Sequence, residues 1–203
     1  MSGAFLLTAL VVCVAPGIGV VYTLSMAIRG GVRAGLLASL GCTLCTLLHL
    51  GFALAGLAAV LHTTAVVFQT VKLAGAAYLL WTAWSTLRGG GLLELRPADE
   101  VGSARRIVWR GIALNLLNPK LPLFFVAFLP QIVPAAARDT TALLAELGIV
   151  FVAMTFAVFV VYALFAATLR HAIVESPAAQ RLLRGAVAAS FAALGARLAL
   201  ERA

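Results

Sequence analysis

The chain has 203 residues, of which 63% are hydrophobic and only 11% are charged, and its formal net charge is +8 at pH 7. An average soluble domain is about half apolar and roughly a quarter charged, so a soluble globular protein is excluded, because it could not hide this much apolar surface. The basic residues lie between the apolar stretches, and no basic stripe carries interleaved aromatic residues, so nucleic acid is excluded as a partner.

Six apolar stretches are long enough to cross a lipid bilayer, which takes about 20 helical residues. In chain order they are residues 4–27, 34–60, 64–87, 110–133, 142–169 and 180–200. The stretches are continuous rather than alternating, and backbone groups in lipid must be satisfied within the segment, so helices are predicted rather than barrel strands. We therefore expect an all-α integral membrane protein, with six transmembrane helices in a single transporter domain over residues 1–203.

One polar segment, residues 88–109, separates the six spans into two groups of three. With an odd number of spans in each half, two related halves would enter the membrane in opposite orientations. Such inverted repeats are frequent in transporters. The sequence thus predicts two inverted three-helix halves joined by this linker.

The arginines that flank the spans are unequally distributed between the two sides of the membrane. Ten of them flank the loops after spans 1, 3 and 5, and three lie on the opposite side. Because positive charge marks cytoplasmic loops, the linker is predicted to be cytoplasmic and both termini periplasmic. Arg184 and Arg197 shorten the uncharged part of span 6. If that span lay in the membrane interface instead of crossing the bilayer, the C-terminus would be cytoplasmic.

Spans 1 and 4 each contain a helix-breaking sequence, at residues 15–19 and 115–120 respectively. Proline removes a helical N–H group and glycine allows the backbone to unwind. Backbone groups freed at membrane depth are tolerated only around a cavity or under neighbouring helices. A lone proline is commonly a packing kink, but two breaks at corresponding positions predict a substrate-binding site. The residues of the breaks in this predicted site are Pro16, Gly17, Asn115, Asn118 and Pro119.

Lys120 lies near the middle of span 4, where a charged side chain is costly. The structural alternative is that its long side chain reaches the membrane interface. A cation beside a broken helix is, however, well suited to hold a carboxylate, together with freed N–H groups. We therefore expect Lys120 to bind the substrate.

Two titratable residues could carry protons. His49 lies midway along span 2, and histidine changes charge near neutral pH, although a buried, hydrogen-bonded role is the alternative. We place it in the predicted substrate site as well. Glu146 is the one carboxylate inside a span, near the outer start of span 5, where an exposed helix-start position is the alternative.

Cys42 and Cys45 form a C-x-x-C pair on span 2. Without a second pair they are better explained as small packing residues than as a metal or redox site, and three cysteines indicate no disulfide framework. No P-loop, H-E-x-x-H motif or G-x-S-x-G elbow is present. We therefore expect neither a metal, a cofactor nor catalytic residues, and no enzyme.

The order and spacing of these motifs give the chain a specific likeness to a known family. The matching segments are Pro16-Gly17, residues 29–35, Gly41 with His49, Lys72 to Tyr78, Asn115 to Lys120, Phe124-Phe125 and Leu129-Pro130-Gln131. Over nearly its whole length the chain resembles the LysE/RhtB family of amino-acid exporters. The resemblance implies a carrier in the bacterial inner membrane that expels amino acids or related metabolites, driven by protons. Thr155 stands where some members carry an acidic residue, which counts against a cationic substrate and against proton coupling at that position.

The sequence thus predicts the export of a neutral amino acid through a cavity between the two halves. The alternative is an exporter of divalent metals or other ions with a similar six-span architecture. That alternative has few candidate ligands, because metal sites need clusters of carboxylate, imidazole or thiolate groups. A non-transporting scaffold is a third reading, and it leaves the Asn-Pro-Lys motif of span 4 unexplained.

Overall fold

The computed structural model of the protein describes residues 3–60, 65–88, 102–116, 118, 120–125 and 140–200. Across these residues the chain forms eight helices and no strand, which confirms the predicted all-helical fold. The helices are α1 (Gly3–Val14), α2 (Ile18–Val60), α3 (Ala65–Leu87), α4 (Ala104–Leu116), α5 (Lys120–Leu123), α6 (Thr140–Thr168), α7 (Arg170–Glu175) and α8 (Pro177–Leu200).

Helix α2 is folded back on itself at Gly31, whose backbone has φ 71° and ψ −166°. This left-handed conformation favours glycine, because it has no Cβ. A Cβ atom built on Gly35 would lie 2.8 Å from the Cβ of Ala27, a contact that a straight helix could not bring about. The two parts of α2 therefore form an antiparallel hairpin, with its turn between the predicted spans 1 and 2.

Two of the described helices are long and apolar enough to cross a membrane, Ile18–Ala55 and Thr140–Thr168. The first of them includes the turn at Gly31, so its length is shared between two antiparallel segments. Large apolar side chains also point outward from the bundle, among them Trp81, Val161 and Phe165, each more than 60% exposed. An outer surface of this kind suits lipid rather than water.

Helix α2 packs against α4 and α6, α1 packs against α6, and α3 packs against α8. Small residues allow the close crossings. Gly35 faces Ala163 of α6, and Gly41 lies against the carbonyl of Val108 on α4. Helices in membranes commonly approach through such small residues, since lipid provides no hydrophobic drive for their association.

One cluster of buried apolar side chains joins α1, α6 and the segment formed by α5 and the two residues after it. Its centre is a set of three aromatic rings, with Phe124 stacked on Phe151 at 4.0 Å between centroids and Phe125 edge-on to Phe151 at 5.4 Å. These contacts fix α5, which has only four residues, against the middle of α6. The short helix after the second break is thus held by packing rather than by its own length.

Helices α3 and α6 begin and end within two residues of the apolar stretches 64–87 and 142–169, whereas α4 differs from the predicted stretch 110–133. This helix begins at Ala104, inside the segment 88–109 that was predicted to be a linker. The reason is local, because Ser103 accepts a hydrogen bond from the N–H of Arg106 (3.4 Å) and so caps a helix whose first turns are polar. A helix that starts with polar turns does not stand out as an apolar stretch of the sequence.

Candidate functional site

The first break lies between α1 and α2. The N–H of Ala15 still donates to Val11 (2.9 Å), and the helix resumes when the N–H of Val21 donates to Gly17 (3.0 Å). Between them, Pro16 supplies no N–H group. Side chains from the second half of the chain donate to the carbonyls at this helix end. Tyr162 donates its hydroxyl to Val14 (2.7 Å), and Lys120 donates its Nζ to Ala15 (2.7 Å).

The second break lies between α4 and α5 and is built on asparagine side chains. Asn118 accepts from the N–H of Lys120 through its Oδ1 (3.1 Å), which is the bond of a helix N-cap. Pro119, which was predicted to belong to the site, lies outside the described residues.

The asparagines connect the second break to α2. Asn118 donates its Nδ2 to the Oδ1 of Asn115 (3.0 Å), and Asn115 donates its own Nδ2 to the carbonyl of Cys42 (2.8 Å). Both asparagines are buried. Because buried amides are costly unless they are hydrogen-bonded, this chain fixes the orientation of both side chains.

His49 lies behind this network. Its Nε2 is 3.3 Å from the backbone carbonyl of Asn115, which also accepts from the N–H of Asn118 (3.1 Å). The imidazole is buried and does not line the cavity described next. The structure therefore brings His49 to the second break through the backbone of Asn115.

A small cavity of about 20 Å³ lies between the two breaks. It is lined by Val12, Cys13, Gly17, Gly19, Val20, Thr46, Asn115, Asn118, Lys120, Leu121, Phe151, Thr155 and Phe159. Such a volume holds about one water molecule and is too small for an amino acid. Lys120 is the one charged residue in this described lining.

Helix α6 supplies a wall of the cavity that the sequence did not predict. Thr155 donates its hydroxyl to the carbonyl of Phe151 (2.8 Å), and the same hydroxyl lies 3.4 Å from the thiol of Cys13. Phe151 and Phe159 complete this wall. The one available signal was Thr155 itself, a hydroxyl in the middle of a highly apolar helix.

Two glycines at the first break allow the halves to meet closely. A Cβ atom on Gly17 would lie 3.5 Å from Cδ of Lys120 and 3.9 Å from its Nζ. A Cβ atom on Gly19 would lie 2.9 Å from the ring of Phe159 and 3.0 Å from Oδ1 of Asn115, which is too close for a real side chain. Position 19 therefore requires glycine, because a Cβ atom there would clash. Position 17 has room for a Cβ atom.

The other candidates from the sequence lie elsewhere. Pro16 is half-buried beside the cavity, and Glu146 is exposed on α6 and outside the lining. Cys42 is buried, with its thiol 3.8 Å from the carbonyl of Gly19 and 3.7 Å from that of Gly111. Cys42 thus packs between helices, as was predicted. Within the described residues, no three His, Cys, Asp or Glu side chains are grouped as a metal site would need.

Comparison with known proteins gives the chain a family. The profile of the LysE type translocators matches residues 10–202. The chain is 31% identical to the homoserine/homoserine lactone efflux protein of Salmonella typhi, over 98% of this chain and 96% of the relative. It is 30% identical to the protein of the same description in Salmonella typhimurium, with the same coverage.

A third relative is the leucine efflux protein of Enterobacter sp. (strain 638), which is 31% identical over 67% of this chain and 65% of the relative. No solved structure matches the chain significantly. The resemblance read from the sequence motifs is confirmed, and the chain belongs to the LysE family of membrane translocators.

Proposed function

We propose that the protein is a secondary transporter that exports amino acids or close derivatives across the bacterial inner membrane. The observation that carries the proposal is the position of Lys120, the one cation among the described residues that line a cavity between two broken helices. The efflux functions named for the relatives point to the same class of substrate. A transporter, rather than an enzyme, accounts for both observations.

The site offers complementary groups for the two charged ends of an amino acid. The ammonium of Lys120 has three N–H groups and donates one of them to the carbonyl of Ala15, so two are available to a carboxylate. The carbonyls of Val14 and Ala15 lie at the C-terminal end of α1, where the helix dipole favours a cation. We infer that these carbonyls receive the ammonium group of the substrate.

Opening of the cavity is part of the proposal, because about 20 Å³ does not admit an amino acid. The helix pairs support two inverted halves that move against each other. Helix α1 packs on α6 and α4 packs on α2, so that the broken span of each half contacts the second span of the other half. The third spans, α3 and α8, contact each other. Alternating access would follow from rocking of the halves about the two breaks.

For proton coupling, the geometry favours His49 over Glu146. His49 is buried against the backbone of the second break. A change in the charge of its imidazole would therefore alter the interaction with the carbonyl of Asn115. Glu146 is exposed on α6 and outside the cavity lining. We propose His49 as the residue through which protons drive export.

The orientation in the membrane is proposed to be that of the arginine distribution, with the linker cytoplasmic and both termini periplasmic. The end of α3 fits this orientation. Trp81 and Trp84 are exposed there, and the guanidinium of Arg88 lies 4.4 Å above the ring of Trp84. Tryptophan is typical of either membrane–water interface, and arginine is typical of the cytoplasmic side.

The proposal is tested by export from an exporter-deficient bacterium that expresses the chain. Dipeptides load the cytoplasm with one amino acid at a time, and the medium is analysed for that amino acid. We expect one or a few neutral amino acids to accumulate in the medium, and Lys120→Met to lower this accumulation sharply. Lys72→Met, at the only other lysine of the chain, is the matched control and should export normally.

If protein is present in the membrane but no amino acid appears in the medium, the proposed substrate class is wrong. Metal-tolerance assays on the same strains would then test the ion-exporter alternative. Normal export by Lys120→Met would instead remove Lys120 from the binding site.

A further inference from the structure

The hydrogen bond from Lys120 to Ala15 joins two residues that are 105 positions apart in the chain. Its length of 2.7 Å is that of a bond strengthened by charge. It is a direct bond in the described structure between the second break and the end of α1. The two breaks are thus coupled through a single ammonium group.

The carbonyl of Ala15 needs such a partner. It is the last carbonyl before Pro16, and the end of a helix leaves carbonyls without partners in the helix. At membrane depth an unsatisfied carbonyl is costly, because no water is available to it in the surrounding lipid. Lys120 therefore stabilises the closed arrangement of the two breaks.

The ammonium of Lys120 is chemically the same group as the ammonium of an amino acid. The cavity beside it is too small for a substrate, so when the halves move apart a lining side chain must also give way to the substrate. Lys120 has a flexible four-carbon stem. Its neighbours are less free, since Thr155 bonds its own helix and Asn118 bonds both Asn115 and Lys120.

We propose that Lys120 is an internal stand-in for the substrate's ammonium group, an inference that rests on the proposed export function. With no substrate in the cavity, its ammonium occupies the carbonyl of Ala15 and allows the two breaks to close. When a substrate enters, the substrate's ammonium takes that carbonyl and Lys120 moves to the substrate's carboxylate. The unloaded carrier can therefore close and return without burying a bare carbonyl.

This switch of hydrogen-bond partners predicts different behaviour in two modes of transport, namely substrate exchange and net efflux. In exchange, substrate moves in both directions, and the carbonyl of Ala15 always has a substrate ammonium. In net efflux, the carrier returns unloaded and depends on Lys120. A buried acceptor without its partner is destabilising, so loss of the lysine should slow net efflux about tenfold relative to exchange.

The experiment uses the full-length protein in lipid vesicles with the radiolabelled amino acid identified by the export assay. Net efflux into substrate-free medium and exchange against external substrate are both measured under the same imposed proton gradient. Substrate is kept saturating, so that weaker binding does not enter the comparison. The variants are Lys120→Met, Lys120→Gln and Lys120→Arg, with Lys72→Met as the control.

The quantity compared is the ratio of net efflux to exchange. We expect it to fall about tenfold in Lys120→Met, to fall less in Lys120→Gln, which keeps a neutral donor, and to be near wild type in Lys120→Arg and Lys72→Met. If Lys120→Met does not reach the membrane, a lowered ratio in Lys120→Gln supports the stand-in and an unchanged ratio overturns it.

The two proposals fail in different ways. If the wild type moves no amino acid in either mode, the export function is wrong and the stand-in falls with it. If the wild type is active and Lys120→Met lowers both modes equally, or abolishes both, Lys120 serves substrate binding alone. The stand-in is then wrong and the export function is kept.

Discussion

One helix break lies between α1 and α2 and the other between α4 and α5, and the two contribute opposite chemistry. The first break, around Pro16, offers backbone carbonyls, with Val14 and Ala15 each accepting a hydrogen bond from a distant side chain. The second break offers side chains, with Asn118 capping α5 and Lys120 carrying a positive charge. In the hydrogen bond that joins the two breaks, the first break accepts and the second donates.

This difference shows how a pair of similar interruptions can form one site. A break that exposes acceptors and a break that exposes donors satisfy each other when they meet, so the interior needs no water to close. A zwitterion has the same two characters within one small molecule. The polarity of the site thus follows from the pairing of the breaks rather than from either break alone.

The largest effect is expected from removing the polar side chain that organises the second break. In Asn118→Leu, the Oδ1 of Asn115 and the N–H of Lys120 both lose their partner, at about 1–3 kcal/mol each. We expect a clear loss of thermal stability in detergent, together with loss of export. Thr86→Val on α3 also removes a buried hydroxyl bond, and it should be far milder, because the hydroxyl bonds only the carbonyl of Thr82 in its own helix. Equal losses in both variants would show that the second break has no special role.

The next largest loss of stability is expected at one of the two glycines of the first break and not at the other. Gly19→Ala forces a methyl group against Phe159 and Asn115, and overpacking of this kind costs about 1–3 kcal/mol. Gly17→Ala meets Lys120 only at ordinary contact distance and should fold normally. Melting curves of the two purified variants measure the difference. A Gly17→Ala variant that melts below Gly19→Ala would contradict the geometry of the first break.

A smaller effect is expected at the other acceptor of the first break. Tyr162→Phe removes the hydroxyl that donates to Val14 and leaves the aromatic ring in place. The net value of one such bond is about 0.5–1.5 kcal/mol, so the melting temperature should fall by a few degrees. Export should continue, because Lys120 still serves Ala15. Abolished export with a normal melting temperature would place Tyr162 in transport itself.

The smallest effect is expected away from both breaks. Glu146→Gln changes an exposed side chain outside the cavity lining, so its stability should change by no more than about 0.5 kcal/mol. Export driven by a proton gradient should be unchanged in vesicles. Loss of proton-driven transport with exchange retained would make Glu146, rather than His49, the coupling residue.

Much of this architecture could be predicted because its signals are local in the sequence. Pro16-Gly17 and Asn118-Pro119 mark the places where α1 and α4 have ended, and long apolar stretches locate α3 and α6 within two residues. Lys120 stands out as a charge within an apolar span. Each of these features is detectable from neighbours along the chain, without knowledge of how the helices pack.

The rest of the site depends on which faces of the helices meet. Most residues of helix α6 are apolar on every side, so its sequence does not show which of its faces, with Thr155 and Phe151, lines the cavity. Cys13 on α1 is equally inconspicuous. The contact of His49 is also a packing result, because it is made to the backbone of Asn115 and not to a side chain. The six-span count, the inverted halves and the site roles remain predictions.

The turn at Gly31 has a consequence for folding during synthesis of the protein. Gly35 meets Ala27 only eight positions earlier in the chain, so this contact closes a very short loop at little entropic cost. It is available as soon as those residues have left the ribosome, before any of α4 or α6 exists. This contact can therefore form before the later helices have been synthesised.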